Sequence, residues 1–192
     1  MKDAVEQIRN QGFSSILRDV VHQNSIDLHS KRPRVETELS VIEDWDRVDE
    51  SVESVVITAN CMNDENLEVL DFTNCKNLRT IKVGDGCFMN VNTLNLTKMK
   101  NLESVVIGEN SFTTKKNGFG KEPKRQFYLK NCPSLRELKV GRYSFSDYTV
   151  CEIDDMDALV TIVIGDLNAD SYNFPFAFLT LRGWWDAKGD HP

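Results

Sequence analysis

One phrase recurs along this chain and limits what it can fold into more than any other feature. It reads Leu-Arg-Thr-Ile-Lys-Val-Gly from Leu78, Leu-Glu-Ser-Val-Val-Ile-Gly from Leu102, Leu-Arg-Glu-Leu-Lys-Val-Gly from Leu135 and Leu-Val-Thr-Ile-Val-Ile-Gly from Leu159. A degenerate copy, Val-Glu-Ser-Val-Val-Ile-Thr, starts at Val52, and successive starts lie 26, 24, 33 and 24 residues apart. A period in this range is the signature of a solenoid, whose units stack because one unit cannot bury its own apolar face.

Within the phrase the last two apolar sites alternate with other residues, which is strand period and puts both side chains on one face. The phrase therefore predicts a ladder of Val55, Ile81, Val105, Leu138 and Ile162 beside a ladder of Ile57, Val83, Ile107, Val140 and Ile164. Gly84, Gly108, Gly141 and Gly165 follow directly, and the expectation is that they let the chain leave the strand through positive φ. The other half of each period holds a second set of alternating pairs: Leu70/Phe72, Leu94/Leu96, Phe127/Leu129, Cys151/Ile153 and Leu179/Leu181. Each coil thus makes two strand passes that face each other across a narrow core. After the first strand come Cys61-Met62, Cys87-Phe88, Ser111-Phe112 and Ser144-Phe145, whose second member is expected to plug a corner of the coil. Before it come Asn74-Cys75, Lys98-Met99, Asn131-Cys132 and Asp155-Met156. Four of the five cysteines fall in these two columns, alternating with Ser or Met, and are expected to be small core groups rather than reactive thiols or metal ligands.

The repeated phrase, followed by Ile-Gly-Glu-Asn-Ser-Phe (107–112), resembles leucine-rich repeat proteins, and most of all their BspA-like subclass, over about residues 52–183. The chain lacks the regular asparagine after the strand that the common leucine-rich repeat carries. The resemblance implies a mainly β repeat solenoid, a right-handed coil with two parallel strand ladders, and a role in binding proteins or other ligands.

Four segments complete the expected organisation. Residues 1–28 hold an amphipathic helix in which Val5, Ile8, Phe13, Ile16, Leu17, Val20 and Val21 share a face, suited to capping the first coil or to docking. Residues 29–51 form a charged linker with a degenerate strand at Leu39, Val41 and Ile42, assigned to the second ladder. Its basic run at Lys31, Arg32 and Arg34 is also compatible with nuclear import. From Glu36 to Glu53, eight acidic residues against Arg47 give −7, most simply a solvated edge. Residues 52–183 are the solenoid, and residues 184–192, with Trp184 and Trp185, follow no repeat.

The 33-residue unit carries an insert at 113–125 whose Lys115, Lys116, Lys121, Lys124 and Arg125 against Glu122 give +4 on a chain of net charge −7. Insertions in solenoids loop out on one side, often the binding side. Phe119, between two glycines and ringed by cations, would suit an acidic or phosphorylated partner. The outward positions of the first ladder form a second candidate surface. Its central column is Val56, Lys82, Val106, Lys139 and Val163, and its flanking column is Ser54, Thr80, Ser104, Glu137 and Thr161.

Composition limits the partners. Hydrophobic content of 40% and charged content of 28% belong to a globular chain rather than a disordered one. The net charge of −7 disfavours nucleic acid and anionic membrane, which are polyanions. The N-terminus lacks the apolar core of a signal peptide, no run reaches the length of a membrane span, and the odd cysteine count with no Cys-x-x-Cys pair fits reduced thiols. An intracellular, cytoplasmic location is the resulting expectation. His22, His29 and His191 stand apart from any nucleophile in the repeats, and no phosphate loop or zinc spacing occurs. No cofactor or metal is expected. The nearest approach to catalysis is Glu152 with Asp154, two carboxylates on one outer face of the second ladder, as β-helix carbohydrate-active enzymes arrange them. The sequence thus favours a non-enzymatic protein-interaction module, with such an enzyme or an inactive truncated repeat fragment as alternatives. Exposed solenoid ends would allow self-association.

Overall fold

Apolar alternation over four or five residues makes short strands, and stacking makes them parallel. The computed structural model describes residues 36–39, 48–114 and 120–182. The chain divides into two units, Met1–Arg34 and Val35–Pro192, and every described residue belongs to the second. The expected N-terminal helix, the basic run at 31–34 and the tail at 184–192 lie outside the described residues.

Among the described residues the elements are strands β1 (Glu36–Leu39), β2 (Ser54–Ile57), β3 (Val69–Asp71), β4 (Thr80–Val83), β5 (Thr93–Thr97), β6 (Ser104–Ile107), β7 (Gln126–Lys130), β8 (Glu137–Val140), β9 (Val150–Asp154), β10 (Thr161–Ile164) and β11 (Phe178–Arg182). They form two sheets. Sheet A has the order β1-β2-β4-β6-β8-β10, and sheet B the order β3-β5-β7-β9-β11. Every neighbouring pair is parallel. From β2 onward the chain alternates between the sheets, as a two-pass coil requires.

The register matches the predicted ladders, with Leu70 opposite Leu94 but Phe72 one residue past the end of β3. Val55, Ile81, Val105, Leu138 and Ile162 align across sheet A, with Ile57, Val83, Ile107, Val140 and Ile164 beside them. Leu94, Phe127, Cys151 and Leu179 align across sheet B, with Leu96, Leu129, Ile153 and Leu181 beside them. These inward residues form one buried core through most of the stack, each fully buried aliphatic contributing about 1.5–3 kcal/mol. Phe88, Phe112, Phe145 and Phe174 run through that core as a stack, with successive ring centroids 5.0, 4.9 and 4.8 Å apart. The corner aromatic therefore fills the interior as predicted.

The glycines play a different part from the expected one. Gly84, Gly108 and Gly141 are not left-handed; of the four, Gly165 alone has positive φ. Their amides continue the sheet ladder one residue past the strand, donating to the carbonyls of Ile57, Val83 and Ile107 at 2.9, 2.8 and 2.7 Å. A Cβ at Gly84 would stand 2.7 Å from the Ala59 nitrogen, and one at Gly141 would stand 2.5 Å from the Gly108 carbonyl carbon. Glycine is needed because adjacent coils touch there through bare backbone. The left-handed turn falls later, at Asn60, Gly86, Asn110, Tyr143 and Tyr172, and again two residues on, at Met62, Phe88, Phe112, Phe145 and Phe174.

Strand β1 also departs from expectation. The sequence places Leu39 in the second ladder, but β1 lies in sheet A, with Thr37 opposite Val55 and Leu39 opposite Ile57. Leu39 precedes its partner by 18 residues, against 26 between Ile57 and Val83. A distance of 18 lies midway between a period of about 24 and its half, where the second ladder falls, so spacing alone does not assign the strand to either sheet. Val41 and Ile42 lie outside the described residues.

Polar side chains tie coil to coil. Asn77 and Asn101 donate through Nδ2 to the carbonyls of Glu50 and Lys76, both at 2.8 Å, and the Ser134 hydroxyl donates to Lys100 at 2.7 Å. In the column beside the Phe stack, the buried Ser111 and Ser144 hydroxyls donate to the carbonyls of Gly84 (2.9 Å) and Gly108 (2.6 Å). The same hydroxyls accept from the amides of Cys87 (3.1 Å) and Ser111 (3.0 Å). Each thus satisfies two main-chain groups that would otherwise be buried without partners.

Candidate functional site

Sheet A leaves one face to the core and presents the other as a broad, parallel surface. Strand registration sets the outward residues in straight columns. The central one runs Glu38, Val56, Lys82, Val106, Lys139 and Val163. Lys82, Lys139 and Val163 are exposed, and Val56 and Val106 are half-buried. At the usual strand separation, Lys82 and Lys139 stand about 9.5 Å apart with Val106 between them. The flanking column runs Glu36, Ser54, Thr80, Ser104, Glu137 and Thr161 and is internally hydrogen-bonded. Thr80 donates to Ser54 at 2.7 Å, Ser54 to Glu36 at 3.2 Å, and Ser104 to Glu137 at 3.0 Å. Lys139 lies 2.5 Å from Glu137. Hydrogen bonds from Lys139 and Ser104 hold the Glu137 carboxyl below the ordinary glutamate range.

Two features of this face escaped the sequence reading. Glu36 and Glu38 belong to it, because β1 lies in sheet A. A charged border also runs along its entry side, where the amides of Arg79, Glu103, Arg136 and Val160 donate in turn to the carbonyls of Glu53, Arg79, Glu103 and Arg136. Arg79 bridges Glu53 at 3.7 Å and Glu103 at 2.5 Å. The signal was present: the second residue of each repeated phrase is Glu, Arg, Glu, Arg and finally Val.

The basic insert divides between surface and core. Lys121 and Lys124 are exposed, whereas Lys115, Lys116 and Phe119 lie outside the described residues. Arg125, grouped with them by charge, is buried with an exposure of 4%. Its guanidinium donates to the Met89 carbonyl at 2.6 Å, lies 3.5 Å from the fully buried Asp147 and packs 5.7 Å from the Tyr148 ring centroid. Asp147 also accepts from the amide and hydroxyl of Thr114, at 3.2 and 3.1 Å, and buried Thr113 pairs with Ser146 at 2.8 Å. A lone buried cation costs far more than a paired one, so this arginine anchors the root of the insert instead of meeting a partner. Charge count alone could not separate it from its exposed neighbours.

Glu152 and Asp154 share the outer face of sheet B, as expected from alternation, next to Tyr128 and Lys130. Lys130 forms an ion pair with Glu152, and its ammonium stands 4.9 Å from the Tyr128 ring centroid. Glu152 thereby has a cation as its immediate partner. A groove of about 490 Å³ lies elsewhere, at the corner leading from sheet B to sheet A, between Lys98 and Lys100 on one side and Asp155 and Asp157 on the other.

The cysteines are free; Cys75, Cys87, Cys132 and Cys151 are buried and Cys61 is half-buried. Burial pushes the Cys132 thiol up to about 11 and the Cys151 thiol up to about 12, which keeps both protonated and poorly nucleophilic at neutral pH. Among the described residues no helix is long and apolar enough to cross a membrane. Comparison of the chain with protein-family models, with curated proteins and with solved structures returned no match.

Proposed function

We propose that this chain is a non-enzymatic protein-interaction module of the leucine-rich-repeat type, BspA-like in its repeats. It binds an acidic protein segment through the outer face of sheet A, with the exposed lysines of the insert as a second contact. The observation that carries this reading is the column Val56–Lys82–Val106–Lys139–Val163, which alternates apolar and cationic groups across five strands. The spacing suits a helix laid across the strands. Seven helical residues rise about 10.5 Å, close to the interval between Lys82 and Lys139. Acidic residues at i and i+7 would meet the two ammonium groups, and an apolar residue at i+3 or i+4 would rest on Val106. Exposed ion pairs contribute only about 0–1 kcal/mol each, so apolar contact supplies most of the affinity, and the charges set register and salt dependence.

The test is a charge reversal, Lys82→Glu with Lys139→Glu, compared with the wild-type chain in affinity capture from the source cells. Both side chains are exposed, so the variant stays folded, losing about 1 kcal/mol at most where the Lys139–Glu137 pair is broken, while the captured partner is lost. Lys121→Glu with Lys124→Glu examines the insert without disturbing its buried root at Arg125. Capture of the same partners by the doubly reversed sheet variant, at the same salt sensitivity, would exclude sheet A as the binding face.

A further inference from the structure

The corner that follows the strands of sheet A carries a column of small side chains, Cys61, Cys87, Ser111 and Ser144. The offset that pairs Ile57 of β2 with Val83 of β4 runs on through this corner and sets Cys61 beside Cys87. Two bonds between the coils hold the main chain on either side of the pair. The Asn60 amide donates to the Asp85 carbonyl at 2.7 Å, and the Phe88 amide donates to the Cys61 carbonyl at 3.4 Å. The two Cα atoms are therefore about one strand separation apart, about 4.8 Å, inside the range of about 4.4–6.8 Å that a disulfide spans. Thr58 stands next to both sulfurs: its carbonyl accepts from the Cys87 thiol at 3.0 Å, and its hydroxyl lies 3.0 Å from the Cys61 sulfur. Burial pushes the Cys87 thiol up, and backbone hydrogen bonding from Cys61 opposes it, which places the Cys61 main chain against the Cys87 sulfur. Among the described residues, which include all five cysteines, no other two are so placed. Cys75 and Cys132 share a column, but Met99 stands between them and separates them by about 9.5 Å. Cys151 has Phe127 and Leu179 as its neighbours across sheet B.

We propose that Cys61 and Cys87 form a reversible disulfide, which staples the coil of β2 to the coil of β4 when the chain meets a low-molecular-weight disulfide such as glutathione disulfide. Cys87 is buried and Cys61 half-buried, so Cys61 is the point of entry. Its thiolate attacks one sulfur of glutathione disulfide, that S–S bond breaks, and one glutathione leaves as its thiolate. Cys61 then turns about its Cα–Cβ bond, from the Thr58 hydroxyl toward Cys87. The Cys87 thiol gives its proton to solvent, its sulfur attacks the Cys61 sulfur, and the second glutathione leaves. Two protein thiols are oxidised, and one glutathione disulfide is reduced to two glutathiones. The rest of the column supports a redox role. Ser111 and Ser144 make with a hydroxyl the bond to the preceding coil that Cys87 makes to Thr58. A hydroxyl thus meets the structural need of this column, and what a thiol adds is its oxidation chemistry. This inference is independent of the reading of sheet A.

The test is incubation of the folded full chain with glutathione disulfide, for the wild type, Cys61→Ser and Cys87→Ser. Remaining thiols are then alkylated in denaturant, and the peptides are mapped by mass under non-reducing conditions. Serine fills the same column in later coils, so both variants are expected to fold. In the wild type Cys61 is expected to be joined to Cys87, with Cys75, Cys132 and Cys151 alkylated. Its melting temperature should rise by about 5 °C or more and return on reduction, because the bond closes a loop in the unfolded chain. Cys87→Ser should stop at a mixed disulfide between Cys61 and glutathione, and Cys61→Ser should leave Cys87 alkylated. A wild type that stops at the mixed disulfide, or that stays reduced, overturns the proposal. A crosslink through any other cysteine, or between chains, does the same. A bond between Cys61 and Cys87 that leaves the melting temperature unchanged or lowers it refutes the staple.

Discussion

Replacing Lys98 by glycine should stabilise this protein. Lys98 holds the corner between β5 and β6 with a φ of 62°, in the left-handed region. The same column carries Asn131 at 53° and Asp155 at 54°, whose short polar side chains tolerate that conformation better than lysine does. The Lys98 amide donates to the Lys130 carbonyl at 2.9 Å, a bond that glycine keeps. Left-handed backbone costs a residue with a Cβ about 1–2 kcal/mol, and glycine returns about 0.5–1 kcal/mol of this as added freedom in the unfolded chain. The net gain is about 0.5–1 kcal/mol, or a rise of about 1–4 °C in Tm for a chain of this size. Lys100 supplies the control. It is exposed, two residues along, and not left-handed, and Lys100→Gly removes the same charge but should lower stability by about 0.5–1 kcal/mol. Thermal melts followed by circular dichroism at one pH and ionic strength compare the three chains. Equal losses in Lys98→Gly and Lys100→Gly would refute the assignment of strain to this corner.

Three further outcomes follow from the packing and burial. Gly141→Ala puts a methyl 2.5 Å from the Gly108 carbonyl carbon and 2.6 Å from the Glu109 nitrogen; it should cost about 2–3 kcal/mol, and an unchanged urea midpoint would contradict the bare-backbone contact. Asp147→Ala strands the buried Arg125 and should cost about 3–5 kcal/mol, part of which returns in the double variant with Arg125→Met; strict additivity in urea unfolding would mean that the two side chains do not act together. Cys132 and Cys151, raised by burial to about 11 and about 12 from 9.0, stay protonated in the folded chain where the unfolded chain has begun to ionise. Their contribution to stability is therefore complete below about pH 9 and declines as pH rises through their folded values. Urea midpoints at about pH 8 and about pH 10.5 should differ less for Cys132→Ala with Cys151→Ala than for the wild type.

The ladders were legible in the sequence because the repeated phrase keeps its phase. Val55, Ile81, Val105, Leu138 and Ile162 occupy one slot of the phrase and one row of sheet A. Phase also explains the one misplaced strand: β1 precedes its neighbour by 18 residues, and a period learned from later coils does not assign it to either sheet. The glycines were found but misread, since sequence shows where a side chain is missing and not whether turning or crowding excludes it. Arg125 was misgrouped because its partner, Asp147, lies 22 residues away in the next coil. In the same way the Ser111 and Ser144 column was visible as a pattern, while the carbonyls it satisfies belong to backbone that every residue shares. On the candidate surface, the columns could be written down in advance. Their enlargement by Glu36 and Glu38 could not, because it depended on the placement of β1.

The side-chain ties between coils have a direction. Asn77, Asn101, Ser111, Ser134, Ser144 and Asn173 each donate to a carbonyl in an earlier coil, with Asn63 and Arg142, which donate forward to Gly86 and Asp170, as counterexamples. A ribosome delivers the chain in that same order. Each new coil therefore emerges carrying its own fasteners, and the surface they grip has already left the exit tunnel. Such an array can grow by docking one turn at a time onto a finished template, with its least protected apolar face always the most recently made.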